Sequence, residues 1–63
     1  MTGRYEVRKT RGNVLEAVYP GLTEAKAYAD QLDEAFGEAM HVDDAEAPAS
    51  QRRVYRSRDR IKP

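Results

Sequence analysis

Sixty-three residues, 40% hydrophobic and 35% charged, with eleven basic side chains against eleven acidic ones, describe one small domain of zero formal net charge. The lack of cysteine removes disulfides and thiolate metal sites. No apolar run approaches the roughly 18 residues a membrane helix needs, and Met1-Thr2-Gly3-Arg4-Tyr5-Glu6 lacks the apolar stretch of a secretory signal. The expectation is a soluble cytoplasmic protein without membrane contact, for which dimerisation is the most accessible extra source of stability.

From Arg4 to Lys9 polar and apolar residues alternate, with Tyr5 and Val7 on one face and Arg4, Glu6 and Arg8 on the other, the period of a half-buried strand. Thr10-Arg11-Gly12-Asn13 supplies the positive-φ residues of a hairpin turn. The return strand is Val14-Leu15-Glu16-Ala17-Val18-Tyr19, ended by Pro20-Gly21. Its inward set is read as Leu15, Ala17 and Tyr19, although the run is mixed and Val14 with Val18 could equally claim the core.

Thr23 suits a helix N-cap, and Glu24 sits well at the positive end of the helix dipole. Over 24–36 the apolar residues Ala25, Tyr28, Ala29, Leu32, Ala35 and Phe36 recur at steps of three and four, opposite Glu24, Lys26, Asp30, Asp33 and Glu34. Gly37 stands where a C-terminal stop belongs. A third strand is expected over 38–43 with Met40 and Val42 facing one way and Ala39 and His41 the other. The stretch 44–51 reads as a flexible loop, 52–57 as a fourth strand or a weakly paired segment, and 58–63 as a charged tail, so the domain proper is 1–57.

The fold class implied is α+β: two layers, one helix on one face of a three- or four-stranded antiparallel sheet, in the order β-β-α-β-β. A right-handed crossover through the helix sets the third strand beside the first and gives the spatial order 2-1-3-4.

Charge is uneven along the chain. Residues 1–11 carry Arg4, Arg8, Lys9 and Arg11 against Glu6, giving +3; residues 12–50 carry Lys26 against nine carboxylates, giving −8; residues 51–63 carry six cations against Asp59, giving +5. Acidic and basic segments can attract one another within the fold, or remain solvated. One helix shelters only one side of a sheet, so the other side is expected to carry Arg4, Glu6, Arg8, Val14, Glu16, Val18, Ala39, His41, Arg53 and Tyr55. Arginine and tyrosine are enriched in interfaces, which makes Arg4, Arg8, Val14, Val18, Arg53 and Tyr55 the candidate contacts for a protein partner or a second copy of the chain. The alternative is nucleic acid, with the arginines on phosphates and Tyr55 stacked on an unpaired base.

Catalysis is not expected. The hydroxyl-bearing residues and the single histidine, His41, form no nucleophile–base motif. His41 and Asp43 could share a face, but a metal wants three or four ligands. The glycines are scattered turn residues, so no phosphate loop, cofactor or small-molecule substrate is implied.

The stretch Tyr5-Glu6-Val7-Arg8, Gly12-Asn13-Val14-Leu15 and Leu22-Thr23-Glu24-Ala25-Lys26-Ala27-Tyr28-Ala29 resembles short proteins of actinobacteria and their phages in which a hairpin precedes a helix of this type. It is similar as well to the β-sheet DNA-binding arms of tyrosine integrases, whose sheet face enters a DNA groove. The resemblance covers residues 5–29 and implies the hairpin–helix fold. Arginine outnumbers lysine eight to three and alanine occurs nine times, a usage that suits GC-rich codons. The function expected is that of a small non-enzymatic accessory protein acting by protein–protein interaction, of phage or actinobacterial origin.

Overall fold

A computed structural model describes residues 3–58. The expected charged tail lies outside the described residues except for Arg58, and so do Met1 and Thr2. The order is β1 (Tyr5–Lys9), β2 (Val14–Tyr19), α1 (Leu22–Phe36), β3 (Met40–Asp44) and β4 (Arg53–Arg56), with short 3-10 turns at Arg11–Asn13 and Ala49–Gln51. All strand pairs are antiparallel, and the sheet runs β2-β1-β3-β4. The α+β class and the 2-1-3-4 order are as expected. No helix among the described residues is long and apolar enough to cross a membrane.

The hairpin turns through Gly12 (φ 80°) and Asn13 (φ 54°), the left-handed conformations those two residue types tolerate best. The helix starts earlier than its N-cap signal suggests. Gly21 occupies the cap without a side-chain hydrogen bond and Thr23 lies inside the first turn. Gly37 ends it in the left-handed region (φ 66°), its N–H donating to the Asp33 carbonyl at 2.7 Å.

The core is a row of pairings beneath the helix. Ala17, Val7, Val42 and Tyr55 stand opposite one another across all four strands. Val7 and Val42 are fully buried, and so are Ala25 and Ala29 on α1, whose small side chains let the helix approach the central strands. Met40 completes the buried set, with Tyr5, Tyr19, Leu22, Tyr28 and Leu32 around it. Tyr19 and Tyr28 meet at 5.6 Å between ring centroids, tilted by 58°, a favoured aromatic geometry.

Two elements depart from the sequence reading. Phe36, expected in the apolar stripe, is 72% exposed, because it lies in the last turn and lines an open cleft with Lys9, Glu16, Leu32, Glu38 and Met40. The stretch expected to be a loop without regular structure begins inside β3 at Asp44 and ends in the 3-10 turn at Ala49–Gln51, with hydrogen bonds from the Glu46 N–H to Asp44 Oδ1, from the Ala47 N–H to the Asp44 carbonyl, and from Arg52 Nη2 to the Ala47 carbonyl. Beyond β4, Ser57 exchanges bonds with Met40 and donates to Asp33 at 2.6 Å, while Arg58 forks onto the same carboxylate at 2.8 Å. Those two donors hold the Asp33 carboxyl below its ordinary pKa.

Candidate functional site

The face of the sheet turned away from α1 is built by two bulges. In β2 the register slips between Val7 and Arg8, so Val7 opposes Ala17 but Arg8 opposes Leu15, leaving Glu16 as the extra residue. In β4 it slips between Val42 and Asp43, so Val42 opposes Tyr55 but Asp43 opposes Arg53, leaving Val54 extra. Each slip moves the residues beyond it to the other side of the sheet.

The outcome is two complete rows of four on the open face. One runs Val18, Glu6, Asp43, Arg53; the other runs Leu15, Arg8, His41, Arg56. Read by strand, β2 contributes an apolar column, β1 an ion pair, β3 a pair of buried polar groups and β4 two arginines. Leu15 and Val18 are 47% and 43% exposed. Arg8 Nη2 and Nε donate to Glu6 Oε1 at 3.0 and 3.2 Å, and Arg8 Nη1 donates to the Asn13 carbonyl at 2.9 Å.

His41 is 1% exposed although it lies on the side without a helix. Thr10 Oγ1 stands 3.1 Å from its Nδ1 and Arg53 Nη2 3.3 Å from its Nε2. A guanidinium can only donate, so Nε2 accepts and the ring proton sits on Nδ1, directed to Thr10. Burial first, then the Arg53 charge, lower the pKa of His41, and Asp43 opposes them only in part. Asp43 Oδ1 is buried without a hydrogen-bond partner, 3.7 Å from both His41 Nε2 and Arg53 Nε. Arg53 thus bridges the two β3 side chains. No group of three or more His, Asp or Glu residues among those described converges as a metal would require.

Of the residues expected on this face, Arg8, Val18 and Arg53 are there, and Arg4 borders it in a shallow hollow shared with Val18 and Glu46. Val14, Glu16 and Tyr55 are not. Val14 opposes Lys9 and Glu16 lines the cleft beside Leu32 and Met40, both on the helix side. Tyr55 packs on the core, donates its hydroxyl to Asp30 Oδ1 at 2.7 Å and lies under the Lys26 ammonium, 5.2 Å from the ring centroid. The bond to Asp30 raises its phenol pKa to about 12. Leu15, expected inward, is outward instead. Arg56 is not among the candidate contacts of the sequence reading, which treats the paired Glu6 as plain surface. One signal for the bulge in β2 was present: five of its six residues are apolar, which no strict two-residue alternation can place.

By layer, the open face with Arg4 carries four arginines against Glu6 and Asp43, a formal +2, whereas α1 carries Lys26 against Glu24, Asp30, Asp33 and Glu34, a formal −3. Comparison with protein-family models, with curated proteins and with solved structures finds no match.

Proposed function

We propose that this chain is a non-catalytic interaction module whose open sheet face docks a protein partner. The observation that carries the reading is the side-by-side placement of half-exposed Leu15 and Val18 on a face that ends in Arg53 and Arg56. Apolar contact at one side and arginine at the other is the composition of a protein interface. The fitting partner presents an apolar stripe beside carboxylates. Strands lie about 4.8 Å apart, so β2 and β4 hold the two columns roughly 14 Å from each other, within the span of one amphipathic segment.

The test places a photoreactive residue at position 56, with position 34 on the helix as control, in lysate of the source cells. The expected result is a discrete protein adduct at 56 that disappears with Arg53→Glu and is absent at 34. Equal labelling at both positions, or none, refutes the reading. The nucleic-acid alternative keeps its arginines but loses Tyr55, the ring assigned to base stacking. It predicts a nuclease-sensitive adduct at 56 and retardation of DNA or RNA in low-salt gels, steeply weakened by added salt.

A further inference from the structure

We infer that β2 pairs antiparallel with β2 of a second copy, about a two-fold axis between Glu16 and Ala17, joining two open faces into one. The inference rests on the reading of the open face as an interaction surface, because it makes that surface continuous across the pair.

The bulge supplies the main argument. An unbroken six-residue strand alternates sides, so a two-fold axis through its midpoint would set every inward residue against an outward one. In β2 the facing pattern is different. Val14, Glu16, Ala17 and Tyr19 lie on the helix side and Leu15 and Val18 on the open side. That pattern reads the same from either end. Under the two-fold, Leu15 meets Val18 of the second copy, Glu16 meets Ala17, and Val14 meets Tyr19, each pair on one side of the joined sheet. An isologous contact demands this self-complementarity.

Charge selects the same edge. Both edge strands carry a bulge, a device that can discourage strand addition, but β4 adds Arg53 and Arg56, which would face arginines of the second copy across a β4–β4 contact. A β2–β4 contact is head-to-tail and leaves a free edge at each end. Strand β2 bears a single charge, Glu16. Four of the five large exposed hydrophobic residues among those described lie on it or beside it: Val14, Leu15 and Val18 on the strand, and Phe36 in the cleft that Glu16 lines. An interface of standard size takes about 800 Å² per partner, less than a fifth of the 4383 Å² this chain exposes. In the pair, each open-face row continues into the other copy, with four aliphatic side chains at the centre and arginines at both ends.

The chain has no cysteine, which makes cross-linking clean. Residues opposite each other in antiparallel strands stand with Cα atoms about 4.5–5.5 Å apart, within disulfide reach, whereas Leu15 and its own symmetry mate are offset by three residues, about 10 Å along the strand. Under mild oxidation the Leu15→Cys/Val18→Cys double variant should form a covalent dimer at least tenfold faster than either single variant. A mixture of the two single variants should yield the mixed dimer. Sedimentation of the unmodified chain should show a concentration-dependent dimer, converted to monomer by Val18→Lys with the circular dichroism spectrum unchanged. A strict monomer at several hundred micromolar, or equal cross-linking by Leu15→Cys alone, overturns the pairing. A monomer that still gives the position-56 adduct removes the pairing and leaves the partner site. A dimer without the adduct does the reverse.

Discussion

Met40→Ala tests whether the core has a rigid wall or a compliant one. Met40 is 1% exposed on β3 and belongs to the buried cluster with Val7, Val42, Ala25 and Ala29. Removing Cγ, Sδ and Cε forfeits roughly 2–2.5 kcal/mol of transfer free energy at about 0.8 kcal/mol per methylene-sized group. A cavity term comes on top, and the usual range for such truncations is about 2–5 kcal/mol. The low end is expected here, about 2.5–3 kcal/mol, because one side of the site is the open cleft that Met40 lines together with Phe36, whose 72% exposed ring should swing inward to fill the space. At about 0.05–0.15 kcal/mol per residue the whole domain holds only about 3–9 kcal/mol, so Tm should fall by about 10–20 °C. Urea titration followed by circular dichroism measures the loss. Phe36→Ala alone should cost under about 1 kcal/mol, yet in the Met40→Ala background it should cost about 1 kcal/mol more, since the ring then fills the vacated space. Additivity of the two within about 0.5 kcal/mol, or a single-variant loss above about 4 kcal/mol, refutes the compliant wall.

Gly37→Ala should cost about 1–2 kcal/mol, read as a fall in Tm. The added Cβ meets nothing within 4 Å, so the whole effect is the left-handed backbone, and Gly37→Asn should cost less. His41 is buried neutral with a pKa below its ordinary 6.5. The unfolded chain therefore binds the proton more readily, and stability present above pH 6.5 is lost as pH falls from there toward the folded pKa. Thermal melts across pH 5–8 should show this slope, and His41→Gln should flatten it. Tyr55→Phe should remove the highest-titrating phenol, the one pushed up to about 12 by Asp30, from an ultraviolet titration, and should cost about 1 kcal/mol, a modest figure because the bond to Asp30 is exposed.

Periodicity carried the helix and the first strand, with Ala25, Ala29 and Leu32 in one stripe and Tyr5 and Val7 in the other, while Gly12-Asn13 marked the hairpin and the right-handed crossover set the sheet order. The open face was only half legible. Bulges at Glu16 and Val54 exchange the sides of Leu15, Val14 and Tyr55, and neither is marked by the glycine that often signals one. The burial of His41 was equally hidden. His41 lies between Arg8 and Arg56 on the neighbouring strands and is reached by Arg53, twelve residues away, tertiary contacts with no trace in local sequence.

The same geometry weighs against nucleic acid as the partner. Affinity for nucleic acid comes mostly from neutralising phosphates with arginine and lysine, so it grows with the number of free cations on the face. The open face has Arg4, Arg53 and Arg56 at its margins, while Arg8 is occupied by Glu6 and the Asn13 carbonyl, so three guanidiniums remain for a partner. Four tyrosines, the rings on which bases could stack, pack on the helix side instead. What remains on the rows is aliphatic and guanidinium surface in separate columns. On the proposed reading an acidic, partly apolar protein segment would satisfy both columns at once, whereas a polyphosphate strand would leave Leu15 and Val18 against a charged backbone. The bulge that turned Leu15 outward therefore does two things: it completes an apolar column beside the arginines, and it makes the edge that bears that column match itself.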